Sequence, residues 1–442
     1  MKLWAMKLPV VSFAAVVLVV VGATFVFDQD REPAEARAAT IAFGPDTFAA
    51  AEDSLDSTVN SKRVLLASEP SSWLRREVLA LALIDRYRLD GSLSDLDEAR
   101  TLLETGLAST PDPAGPSLTR AQHALMLHDL DAADEALARY DRTVVKLPKE
   151  RAAADAMRGD LAFQRGKLDE ARAIFSKTHA DHPEFGSAAR LAQVLLWSGD
   201  ASEAAAVAEE GFRATSLTPF GSARAALMLA NLAYARGDLA AAGEWIGTAQ
   251  NAFEGYWMVD AYAAQHLAAE GDIDGAIKAL TAIVQHTQEP EVIDTLAGML
   301  HHAGREAEAR RWASSAGRLW EQKLEAAPDA YRLHVAEHYL DFGDAARALE
   351  LAREEVAQRP FGEAIEVLAS AYLANGQPMK ALEWFERAEK SGYRAVSLDM
   401  ARGEALESIG RDAEAAKFYA RARSINPTAD GALRKLLRFG HY

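Results

Sequence analysis

The chain has 442 residues, 49% hydrophobic, 26% charged and 8% aromatic; no single core usefully grows to that size, so the sequence is either several domains or a repeat array. A formal net charge of −17, carried almost wholly by the part that follows Lys2 and Lys7, excludes nucleic acid as a favoured partner. The lack of cysteine excludes disulfides, thiolate metal sites, a cysteine nucleophile, covalent haem and a lipidated N-terminal cysteine.

In chain order, Lys2 and Lys7 precede an uncharged stretch from Leu8 to Phe27, which Asp28, Asp30 and Glu32 follow at once. Positive charge stays on the cytoplasmic side, so residues 1–27 read as a signal anchor or signal peptide that leaves the body outside the membrane. A helix as long as Leu8 to Phe27 just spans a hydrocarbon core of about 30 Å, which favours an uncleaved transmembrane anchor. Val21-Gly22-Ala23 and, more weakly, Ala36-Arg37-Ala38 offer the alternative of cleavage and secretion to the periplasm. Either way the expected location is the cell envelope. Residues 28–45, with Pro33 and Pro45, read as a linker, and 46–70 as an N-terminal helical cap.

From there to residue 427 the chain repeats. The motif G-x-x-x-x-A places anchor alanines at Ala133, Ala171, Ala204, Ala242, Ala276, Ala309, Ala348, Ala381 and Ala415, with a degenerate first copy at Ala99. Six of the nine gaps are 33 or 34 residues and three are 38 or 39. Twelve residues before the anchors stand Ala121, Gly159, Ala192, Ala230, Ala264, Ala297, Ala336, Ala369 and Gly403, small enough to let two helix backbones approach. Five residues before them, Gly166, Gly199, Gly237, Gly271, Gly304, Gly343, Gly376 and Gly410 mark where a first helix stops and the chain reverses. Pro111, Pro183, Pro360 and Pro427 end second helices. The first copy departs from the pattern, with Tyr87 where a small residue belongs and extra residues around Gly91. Extra length in the long gaps is expected in a second helix or its exit loop, as from Trp312 through Trp320 to Pro328. At the end, 428–442 reads as a capping helix, Leu433, Leu436 and Leu437 on one face and Arg434, Lys435 and Arg438 on the other.

The period and these residues resemble the tetratricopeptide repeat family over 71–427, about ten copies. The resemblance implies an all-α fold, a right-handed α-solenoid of stacked helix-turn-helix repeats, whose first helices line a concave groove. It implies a non-catalytic scaffold that binds a protein partner.

Register assigns the groove. Eleven residues before the anchors lie Gln122, Asp160, Gln193, Asn231 and Gln265, side-chain amides for the most part, able to satisfy a peptide's N–H and C=O together. Trp197 and Tyr234 share that middle wall. Toward the C-terminus Glu291, Asp294, Glu337, Asp341, Glu363, Glu366, Glu404 and Glu407 form an acidic wall, expected to draw in an extended or basic segment. Leu118, Ala156, Ala189 and Leu227 stand where a dicarboxylate clamp would need lysine, so chaperone tails are not expected. The expected role is an envelope-anchored adaptor assembling an extracytoplasmic complex; the alternative is an accessory factor for envelope polysaccharide export or modification. His334-Val335-Ala336-Glu337-His338 matches H-x-x-E-H, the pattern of an inverted zinc hydrolase. Lacking a third ligand and a sheet, it reads instead as two solvated helix histidines. No phosphate loop, dinucleotide fingerprint or nucleophile elbow is present, so no cofactor and no catalysis are expected.

Overall fold

The structure, a computed structural model, describes residues 43–429 and 436–439. The expected leader, the linker up to residue 42, and residues 430–435 and 440–442 of the expected capping helix lie outside the described residues. Among the described residues no helix is long and apolar enough to cross a membrane.

Helix α1 (Phe48–Ser68) opens the fold. The hairpins that follow are α2 (Trp73–Asp90) with α3 (Leu93–Ala108), α4 (Ser117–Met126) with α5 (Leu130–Asp141), and α6 (Pro148–Gln164) with α7 (Leu168–Asp181). Next come α8 (Phe185–Trp197) with α9 (Ala201–Ala214), α10 (Pro219–Ala235) with α11 (Leu239–Ala252), and α12 (Trp257–Ala269) with α13 (Ile273–Ile283). The last four pairs are α14 (Pro290–His302) with α15 (Glu306–Ala326), α16 (Pro328–Phe342) with α17 (Ala345–Gln358), α18 (Gly362–Ala374) with α19 (Pro378–Lys390), and α20 (Val396–Glu407) with α21 (Asp412–Ile425). The architecture is the right-handed α-solenoid of stacked helical hairpins.

Local chemistry explains each hairpin. All eight glycines five residues before an anchor have positive φ, and after Gly166 the Lys167 N–H closes a bond of 2.9 Å back to the Ala162 carbonyl, the wide return bond of a glycine-ended helix. The second helix then starts on an aspartate in several pairs: Asp129, Asp238, Asp272 and Asp344 accept from the backbone N–H three residues on, supplying a missing helix-end acceptor. Anchor alanines are buried throughout. At Gly159 even alanine is too large, since an added Cβ would lie 2.3 Å from the Phe175 ring. The long gap before Ala348 is taken up by the 21-residue α15, as expected from the sequence; those before Ala171 and Ala242 go partly into 17-residue first helices, α6 and α10. In the irregular first copy, Tyr87 is partly buried against the apolar cluster that joins α1, α2 and α3.

Successive turns of the superhelix touch. The Phe48 N–H donates to the Glu254 carbonyl at 2.8 Å, and the Arg394 N–H to the Trp197 carbonyl at 2.7 Å. Arg359 reaches the Gln164 carboxamide, 195 residues away, and Asn426 the Tyr234 carbonyl, 192 away. Gly166 answers both demands at once: its φ is 72°, and an added Cβ would come within 2.3 Å of the Pro360 carbonyl in the next turn. One apolar cluster therefore joins helices of two turns, from α7–α10 to α14–α20. Some first helices are buried nearly all round: α8 buries eleven of its 13 residues and α18 twelve of 13, while α19, the outer partner of α18, buries three of 13.

Candidate functional site

An open groove with solvent-facing polar walls was the expectation from register. Tight winding alters it, because the inner faces of the first helices meet their neighbours and the chain's own C-terminal segment. Of the expected groove residues, Trp197, Asn231, Tyr234, Gln265, Asp294, Glu337, Glu363 and Glu366 are buried, Gln193, Asp341 and Glu404 half-buried, and Glu407 exposed. Glu407 accepts from the Tyr419 hydroxyl at 2.8 Å.

The residues fall into two groups. The first is built on Gln265 of α12. Its Oε1 accepts from the backbone N–H of Arg438 at 2.5 Å and of Phe439 at 2.7 Å, and its Nε2 donates to the Phe439 carbonyl at 2.6 Å. The Phe439 ring lies 5.3 Å from that of Tyr262. The Arg438 guanidinium donates to Asp341 at 2.5 Å through Nη1 and to Asp294 at 3.2 Å through Nη2, and lies over the Phe342 ring. Asp294, from the middle of α14, is a hub: it also accepts from Trp320 Nε1 at 2.7 Å and pairs with His338 Nδ1 at 2.9 Å. Tyr234 pairs through its hydroxyl with His266 Nδ1 at 2.9 Å.

The second group gathers Glu337, Glu363 and Glu366 on α16 and α18. Burial, reinforced by the charges of Glu337 and Glu366, pushes the Glu363 carboxyl well above the usual glutamate range, and its Oε2 has no hydrogen-bond partner. Glu366 accepts from the Tyr393 hydroxyl at 3.0 Å. Beside them the buried Arg359 pairs with Glu355 at 2.5 Å and donates to the Asp329 carbonyl at 3.2 Å. The C-terminal wall is therefore less negative than register suggested, because Arg359 and Arg438, from outside the repeat offsets, face into it.

The histidine motif also departs from expectation. His338 is buried and paired with Asp294, not solvated, and His334 stacks on Trp320 with ring centroids 5.6 Å apart. Burial pushes the His334 imidazole pKa down. Its Nδ1 is 3.5 Å from Glu337, and among the described residues no three histidine or carboxylate groups are arranged to hold a metal. Sequence reasoning missed Arg438 and Phe439 as occupants of the wall. The available signal was a short basic, apolar run ending an acidic chain.

A comparison with curated proteins finds no match. Among solved structures, the chain is similar to a human IFIT1 dimer with m7Gppp-AAAA (15% identity, 84% of this chain and 95% of that one, TM-score 0.39). It is also similar to the Cut9–Hcn1 hetero-tetramer of APC/C (13%, 89% and 83%, 0.39) and to a tetratricopeptide repeat protein of Parabacteroides merdae (13%, 73% and 97%, 0.30). The family profile described as tetratricopeptide repeat matches residues 133–183 and 367–430. Those two segments carry the repeat whose glycine and alanine register the hairpins between them share.

Proposed function

We propose that the chain is a non-catalytic, envelope-anchored scaffold that holds an extended, basic segment of a partner protein along its concave wall and so assembles an extracytoplasmic complex. The carrying observation is the Gln265 carboxamide, which meets main-chain donors and acceptor of an irregular segment at once, with two aspartates receiving that segment's arginine. This is how a side chain reads a backbone without regard to sequence, while the carboxylates select the charge. The repeat match supports a scaffold, and the charge asymmetry around Leu8 to Phe27 supports the anchor.

The test is photocrosslinking in intact cells from two positions, half-buried Gln193 on the inner wall and exposed Lys278 on α13. Position 193 should give a discrete adduct with a protein and position 278 none. Adducts only with carbohydrate, or the same adducts from both positions, would overturn the reading. Protease added outside the cytoplasmic membrane should digest the body; a body protected on the cytosolic side would remove the anchor.

A further inference from the structure

Leu436, Leu437 and Phe439 are buried in the same apolar cluster as α10–α15, yet they belong to no helix of the solenoid. Residues 436–439 are turn and irregular backbone, far along the chain from what they touch: Gln265 and Phe439 are 174 residues apart, Asp294 and Arg438 144. Their contacts are those of a bound peptide. The main chain is held by a side-chain amide, one cation is forked between two carboxylates, and one ring is seated on another.

The geometry points to Leu436–Phe439 as a built-in occupant of the binding wall, one that competes in cis with a partner segment of the same chemistry: two aliphatic residues, an arginine and an aromatic. This inference rests on the function proposed above and adds its specificity and its control. Arginine is required, because Nη1 and Nη2 reach different aspartates and a lysine ammonium has no such fork. The wall is not built by the tail: Asp294 keeps Trp320 and His338 when Arg438 leaves, and Asp341 is half-buried and can be rehydrated. Tethering gives the tail an effective concentration on the order of millimolar, so a free segment of equal intrinsic affinity is outcompeted. A partner gains access by binding more tightly or through additional contacts.

The experiment uses the full chain, wild type and with Arg438→Glu or Phe439→Ala, and a fluorescent peptide of the chain's own residues 431–442 read by anisotropy. Both variants should bind the peptide at least tenfold more tightly than wild type, and a peptide carrying Arg438→Glu should bind to none. Adding Gln265→Ala to the Phe439→Ala chain should abolish binding. Far-UV circular dichroism checks that each chain is folded; Phe439→Ala leaves the Asp294 and Asp341 surroundings intact and serves if Arg438→Glu unfolds. Equal affinity of wild type and both variants would overturn the competition while leaving the wall a peptide site. No binding to any chain, with a protein adduct still formed from position 193 in cells, would overturn the self-occupancy and spare the scaffold reading. A wild-type dimer that Phe439→Ala turns into a monomer would show the tail exchanged between copies and overturn occupancy in cis.

Discussion

Glu363 has a carboxylate oxygen without a partner and three glutamates, Glu337, Glu366 and Glu355, raising its pKa beyond what burial alone does, against the charge of Arg359. A carboxyl so placed holds its proton to a higher pH in the folded chain than in the unfolded one. Its contribution is therefore most favourable below 4.5, the ordinary glutamate value, and is lost as pH rises through the raised value. Replacing Glu363 with Gln should leave the urea midpoint near wild type at pH 4.5 and raise it relative to wild type at pH 8. A variant with the wild-type pH slope would mean that Arg359 already neutralises an ionised Glu363. His128 makes a related point about reading residues from a pattern. It occupies the turn position that glycine holds in eight other copies, with φ at 58°, the one non-glycine residue of positive φ among those described. Its imidazole, pushed well below its usual pKa by burial, bonds Gln164 at 2.9 Å. The side chain links one hairpin to the next, a role that the glycine pattern cannot reveal.

Within a hairpin the determinants are local, and so the sequence exposed them. Turn glycines and small residues act within a few positions of themselves, and each falls where the register put it. Ala264 and Ala336 are fully buried at helix-pair contacts. Ala264→Leu or Ala336→Leu should cost about 1–3 kcal/mol by overpacking, read as a lowered denaturation midpoint; an unchanged midpoint in both would refute the pairing. Which face of a first helix meets solvent was not legible in the same way. It depends on how far the solenoid rotates per repeat, a small angle summed over many hairpins, and no single residue encodes it. Register phases the amide row and the acidic wall onto one face, and the structure buries or half-buries most of the residues so assigned. The tail that fills part of it was invisible for a similar reason, since its hydrogen-bond partners are 97 to 174 residues upstream.

For the molecule as a whole, closure between turns is held at a few points, and Trp197 is one of them. Its ring stacks with Phe361 at 5.9 Å, meets Tyr393 edge-on at 5.4 Å and packs on Phe163 at 4.7 Å. Trp197→Ala should cost about 3–5 kcal/mol and enlarge the radius of gyration in X-ray scattering while far-UV circular dichroism stays unchanged; an unchanged size would mean that the turns are held elsewhere. The same closure sets an order on biosynthesis. Hairpins form as they leave the ribosome, because their contacts are short in sequence and quick to make. The seat on Gln164 must wait for Arg359, that on Tyr234 for Asn426, and that on Gln265 for Arg438 and Phe439. Until those partners emerge the first turn is a finished stack of hairpins with its inner wall uncovered, the stage at which a nascent chain has most to gain from a chaperone and the site is easiest for a partner to enter.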